Sequence, residues 1–141
     1  MDQHPAYRER FEALLEESAR AYPKDPLVLA ALGRRALRAQ KNDEAVAFLN
    51  KSLAAGSEAA STFEDLGEAQ ARLGDLDAAV ATLKRGIELS PFTATLRKSL
   101  ALRYIKLQRY ADAQKALTEY VDLFPEDDFV RRLLRQVTSP R

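Results

Sequence analysis

Apolar residues recur along the chain at the three- and four-residue steps of a helix, and small residues interrupt them at one fixed interval. Gly33 and Gly67 stand 34 residues apart, and Ala101 stands 34 further on. Leu32, Leu66 and Leu100 precede them at the same spacing. Ala45, Ala79 and Ala113 keep it too, followed by Leu49, Leu83 and Leu117. Pro91 and Pro125 close two of the units, and Ser57 occupies the corresponding place in the first. The units run 26–59, 60–93 and 94–127 with no insertion between them. No stretch alternates with the period of two that strands need, so the chain is predicted to be all-α.

Each unit reads as two helices. Asp25 is placed to cap the first, and Pro26 suits its first turn, where a missing N–H costs nothing. The polar break at 40–42 ends that helix. Asn42 is expected to cap the next, from about Asp43 to Ala55, and Gly56 offers a left-handed stop. The second unit breaks at Gly74–Asp75 and ends at Ser90–Pro91; the third breaks at Gln108–Arg109 and ends at Pro125. The small residues mark where the two helices of a pair approach closely. The leucines fill the space between pairs, and one pair cannot bury both its faces alone.

The flanks continue in phase. In a first helix over 5–22, Tyr7, Phe11, Leu14, Leu15 and Tyr22 fall within an arc of about 100°, with Arg10, Glu16, Glu17 and Arg20 elsewhere. It is predicted to lay that aromatic face on the helix starting at Pro26. Pro23 lies two periods before Pro91, so this helix reads as the second half of a unit whose first half is missing, which favours a piece of something larger. At the other end, Phe129, Val130, Leu133, Leu134 and Val137 share one arc of a helix over 128–138, and Arg131, Arg132 and Arg135 lie opposite. Acidic Glu126, Asp127 and Asp128 suit its positive N-terminal end. It reads as a capping helix that turns its arginines to water.

The pattern resembles the tetratricopeptide repeat. FEDLGEAQARLGDLDAAVATLKRGIELSP, from Phe63 to Pro91, carries that family's bulky residue, Leu-Gly pair, Gly-Asp turn, Ala and closing Pro in order. Leu29 and Arg97 depart from the large aromatic that Phe63 supplies, Ala36 and Gln70 from the Tyr kept as Tyr104, and Tyr120 from a small residue. The resemblance implies a single domain over 1–141: a right-handed superhelical solenoid of three helix pairs, flanked by an N-terminal helix and a C-terminal capping helix. It also implies that the first helices line a concave groove.

The positions that the resemblance assigns to the groove include Arg34, Leu37 and Arg38 from the first unit. Glu64, Glu68 and Arg72 come from the second, and Lys98, Leu102, Ile105 and Lys106 from the third. Leu37, Ala71 and Ile105 would form an apolar strip widened by Leu102, beside a basic ladder of Arg38, Arg72 and Lys106. Glu68 is placed to pair with Arg34, and Glu64 with Lys98, across neighbouring units. Cations in the last turn of a helix also favour its dipole with no ligand present. One subgroup of the family clamps the C-terminal carboxylate of chaperone tails with Lys and Asn in the first unit, Asn in the second, and Lys and Arg in the third. Here those places hold Ala30 and Arg34, then Asp65, then Thr95 and Ser99, and Asp65 would repel a carboxylate. The clamp is expected to be absent.

Composition narrows the function further. The 141 residues carry a formal charge of +1, which argues against a dedicated nucleic-acid binder. That balance hides an acidic stretch over 58–77, six acids against Arg72 alone, and a basic one over 97–115, six bases against Asp112 alone. There is no cysteine and one histidine, His4, and no phosphate loop or catalytic triad spacing occurs. Adjacent acids such as Glu16–Glu17 diverge by about 100° on a helix. The chain is therefore expected to be no enzyme, with no cofactor and no metal. The leading expectation is a protein–protein interaction scaffold or adaptor that holds a partner segment in the groove. A second is a subunit or repeat region of a larger assembly, held through its end helices or convex face. A minor third is salt-sensitive binding of nucleic acid or other polyanions by the basic third repeat. With no membrane span and no secretory signal core in its first twenty residues, a cytoplasmic location is expected.

Overall fold

Eight α-helices make up the regular structure of residues 4–139, the part that the computed structural model describes, and no strand occurs among them. None of these helices is long and apolar enough to cross a membrane. The chain divides into two compact units, Met1–Ser57 and Glu58–Arg141.

The first unit holds α1 (Pro5–Ala21), α2 (Pro26–Arg38) and α3 (Asn42–Ala54). Asp25 caps α2: its Oδ1 accepts from the backbone N–H groups of Leu27 and Val28, at 2.8 and 3.1 Å. Asn42 does not cap α3. Lys41 is the capping residue and makes no side-chain bond, while Asn42 lies one residue inside the helix with its Oδ1 buried and without a partner. The α2–α3 pair is tight because Gly33 faces Leu49: a Cβ built on Gly33 would stand 2.5 Å from Leu49 Cγ. Ser52 Oγ donates to the carbonyl of Pro26 at 2.6 Å and ties the end of α3 to the start of α2.

The first helix meets α2 with a different face from the one expected. Leu15 is buried, and Arg35 of α2 donates to Glu12 and Glu16 of α1 at 3.1 and 2.5 Å. Both contacts, the Glu16 bond first, raise the Arg35 pKa. The aromatic face points elsewhere: Tyr7 is 73% exposed, Phe11 50% and Leu14 53%, and Tyr22 is exposed as well. An amphipathic arc shows which side of a helix is apolar. The side that packs was decided by Leu15 together with the Glu12 and Glu16 carboxylates, about 100° around the helix from Tyr7 and Leu14.

The second unit holds α4 (Ala60–Arg72), α5 (Leu76–Leu89), α6 (Ala94–Lys106), α7 (Tyr110–Leu123) and α8 (Asp128–Thr138). Phe63, Leu66, Ala79, Leu83, Leu96, Ala101, Ala113 and Leu117 are buried here. Gly86 of α5 lies under Phe63, where an added Cβ would stand 2.8 Å from Phe63 Cβ. Arg97 takes the place of that aromatic in the next pair. Its guanidinium reaches past the helix, with Nε donating to the Pro91 carbonyl at 2.6 Å and Nη1 lying 3.6 Å from Glu119. The capping helix docks through Val130, which is buried against Ala101, Leu117 and Tyr120, with Leu133, Leu134 and Val137 half-buried beside it. Phe129 departs from the expected arc and is exposed.

Three turns share one backbone solution. Gln40, Gly74 and Gln108 stand at the same place in successive repeats, and all have positive φ: 62°, 83° and 58°. In each, the next residue's N–H reaches back five residues to a helix carbonyl: Lys41 to Ala36, Asp75 to Gln70 and Arg109 to Tyr104, at 2.9, 3.0 and 2.9 Å. Gly56 adopts φ 100° as the left-handed stop expected of it.

Candidate functional site

The ten candidate residues fall on the first helices of the pairs. Arg34, Leu37 and Arg38 are on α2; Glu64, Glu68 and Arg72 on α4; Lys98, Leu102, Ile105 and Lys106 on α6. In the first unit Arg34 and Arg38 are exposed, whereas Leu37 is buried, so of these three only the arginines offer surface to a ligand.

In the second unit α4 and α6 lie side by side, and their candidate residues bind each other or their neighbours. Glu68 sits between two guanidinium groups: Oε1 accepts from Arg72 Nε at 2.9 Å and Oε2 from Arg103 Nη2 at 2.5 Å. Arg103 is largely buried, and its own Nε is buried without an acceptor. Thr95 Oγ1 donates to Glu64. The expected pair of Glu64 with Lys98 does not form, because Lys98 turns the other way. Its Nζ lies 2.7 Å from Asp127 and 5.6 Å from the Tyr120 ring centre. One ion pair, Glu68 with Arg103, thus joins the acidic α4 to the basic α6, while Arg97 and Lys98 of α6 turn to Glu119 and Asp127. Half-exposed pairs of this kind contribute roughly 0–1 kcal/mol each, so they set the shape of the surface more than its stability.

Lys98, Asp127 and Tyr120 form the most organised cluster of the unit. Tyr120 is buried and donates its hydroxyl to Asp127 Oδ2 at 2.7 Å, while Asp127 Oδ1 accepts the Val130 N–H at 3.1 Å and so caps α8. Three donors converge on one carboxylate. The Lys98 bond first, then those of Tyr120 and the Val130 backbone, lower its pKa from 3.8 to about 2. The same Asp127 bond raises the Lys98 pKa, and burial first, then that bond, raises that of Tyr120. The cluster is a lock for the capping helix. Tyr120 stands out in the sequence as a large residue at a usually small position, but Asp127 lies seven residues on and its part was not visible there.

The remaining candidates divide between core and surface. Ile105 is half-buried against the Ala101–Leu117–Tyr120–Val130 cluster, and Ala71, the middle of the expected apolar strip, is buried. Leu102 is 44% exposed and Lys106 is exposed one turn further on. Among the described residues neither Arg38 nor Lys106 has an ion-pair partner, in contrast to Arg72. Arg103, absent from the candidate set, ties α6 to α4 through its ion pair with Glu68. Its place corresponds to Arg35 in the first unit but to Ala69 in the second, so no period announces it. No group of three or more His, Cys, Asp or Glu side chains able to hold a metal ion occurs among the described residues.

A family model for the tetratricopeptide repeat matches residues 30–94. No curated protein sequence matches the chain. Solved structures do. The Cut9–Hcn1 hetero-tetramer of the APC/C superposes with a TM-score of 0.80 at 26% identity, covering 91% of this chain and 26% of that one. The chain therefore spans about a quarter of that larger protein. MamA matches with a TM-score of 0.82 at 18% identity over 97% of this chain and 84% of its own. The first repeat domain of Spaghetti (RPAP3), solved with the HSP90 peptide SRMEEVD, matches with a TM-score of 0.71 at 20% identity, over 82% of this chain and 94% of its own.

Proposed function

We propose that this chain, a tetratricopeptide-repeat protein, is a non-catalytic scaffold that holds a segment of a partner protein against its first helices. The family is typically a scaffold for protein–protein interaction, and solved neighbours hold a peptide or belong to a multi-chain complex. The observation that carries the reading is the set of groups left over once internal pairing is complete. In the second unit Lys106 on α6 has no internal ion pair among the described residues, and Leu102 exposes an apolar side chain a turn from it; in the first unit Arg38 on α2 likewise has none. A partner segment with an acidic side chain beside an apolar one matches Lys106 and Leu102. The resemblance to the carboxylate-clamp subgroup implies that a tail of the HSP90 type does not, because Asp65 stands where that subgroup has an amide.

The basic stretch over 97–115 is a weaker polyanion site than its charge suggests. Arg97, Lys98, Arg103 and Arg109 are engaged by Glu119, Asp127, Glu68 and Asp112. The test is capture of partners from the source lysate, mass-spectrometric identification, and titration of the purified partner against wild type and the Arg38→Glu/Arg72→Glu/Lys106→Glu variant. Loss of at least about tenfold in affinity, equivalent to roughly 1.4 kcal/mol, is expected. Unchanged affinity in the folded triple variant removes the ladder from the site. A steep loss of binding with salt, shared by nucleic acid, would favour the polyanion reading instead.

A further inference from the structure

We propose that the exposed aromatic face of α1 is a self-association surface, on which α1 of a second copy packs antiparallel to form a closed dimer. Tyr7, Phe11 and Leu14 form a stripe along α1, all at least half exposed, and α2 leaves it uncovered. Phe11 stands at the repeat position of Ala45, Ala79 and Ala113, which are fully buried in the three complete pairs. A phenylalanine at a position that every other pair seals leaves a large apolar side chain in water beside a second and a third.

The chemistry around the stripe selects its occupant. On the flank away from Leu15, α1 carries Arg10 and Glu17, two turns apart and both exposed, with no ion pair among the described residues. Two antiparallel copies meet like flank to like flank. Paired about a point between Glu12 and Ala13, they set Phe11 against the other copy's Leu14 and Tyr7 against its Ser18. Arg10 of each copy then falls within about 3 Å, along the axis, of the other's Glu17. A parallel pair would instead lay that flank against the other copy's Leu15 flank, where neither Arg10 nor Glu17 meets its counterpart. Head-to-tail stacking on α8 of a second copy fares worse: α8 carries Arg131 and Arg135 at the register positions of Phe63 and Gly67 and would bring two guanidinium groups to the stripe. One helix pair also buries less than the roughly 1,200 Å² of a standard stable interface, so association is expected only at high micromolar concentration.

Sedimentation equilibrium of the full chain, from about 5 µM to about 1 mM, tests this, with circular dichroism as the check on folding. The mass is expected to rise above 15.8 kDa and level at twice that value. Phe11→Glu should hold the chain monomeric. Glu17→Arg, which sets Arg10 against a new arginine at both ends of the pair, should weaken association about fivefold, and Arg10→Glu/Glu17→Arg together should restore it. A monomer throughout the range overturns the proposal, as does growth beyond two copies or a dimer indifferent to Phe11→Glu. Failure of the double variant to restore association overturns the antiparallel arrangement.

Discussion

Substituting alanine for Gly33 and, separately, for Gly67 sets one repeat position in two surroundings. Both glycines lie inside helices, where alanine is intrinsically favoured by about 1 kcal/mol. Both face the leucine that fills their pair, but at different clearances. A Cβ on Gly67 meets Leu83 Cδ2 and Cγ at 3.1 Å, so that leucine need yield only a few tenths of an ångström. A Cβ on Gly33 meets Leu49 Cγ at 2.5 Å and Cδ2 at 2.7 Å, so Leu49 would have to retreat by about an ångström to reach ordinary carbon contact. Leu49 is fully buried and has no room to move freely, and overpacking of that kind costs about 1–3 kcal/mol. Gly33→Ala is therefore expected to destabilise by up to roughly 2 kcal/mol after its helical gain, whereas Gly67→Ala should be neutral or stabilising by up to about 1 kcal/mol. Because the chain forms two units, urea unfolding is best followed by amide exchange in α3 and in α5 rather than by one global signal. Equal effects of the two substitutions, or a more stable Gly33→Ala, would refute the argument that clearance at the leucine governs this position. Ala101→Gly provides a control, with an expected loss of about 1 kcal/mol, since the third pair already accommodates a methyl group there.

Two further outcomes follow from the turns and from the capping helix. Gln40→Gly and Gln108→Gly should each stabilise by about 0.5–1 kcal/mol in thermal or urea unfolding: the left-handed strain relieved, about 1–2 kcal/mol, exceeds the added backbone entropy. A loss of stability would mean that the glutamine side chains hold those turns. Asp127, with its pKa lowered from 3.8 to about 2, contributes stability that is fully present above about pH 5 and is lost as the pH falls through about 2. Exchange protection in α8 should therefore decline across that window and show little pH dependence there in Asp127→Asn; an unchanged profile in that variant would remove Asp127 from the lock.

The helix pairs were legible in the sequence because their cause repeats. Leu32, Leu66 and Leu100, with Gly33, Gly67 and Ala101, obey one steric demand three times, and a period needs no knowledge of neighbours. What was missed is local. Gln40 and Gln108 adopt a backbone usually given to glycine, and only Gly74 at the same place hinted at it. The α1 face failed for another reason, since Leu15 and the Arg35 bonds to Glu12 and Glu16 outweighed the aromatic arc in choosing what meets α2. Among the candidate surface residues, charge was easy to count and pairing was not. Glu68 is held by Arg103, which no repeat position marked, and Lys98 follows Asp127 away from Glu64.

One repeat position holds Ser52, Gly86 and Tyr120 in turn, and each answers a different neighbour: the Pro26 carbonyl, the Phe63 ring, and Asp127. The units are therefore not interchangeable bricks. An engineer who lengthens the array by copying the middle unit must copy only a clearance at Gly86. Transplanting the third unit requires Tyr120, Lys98 and the acidic start of α8 to travel together. Identical spacing makes the modules look shufflable, while this single site works as a keyed connector that gives the array an order.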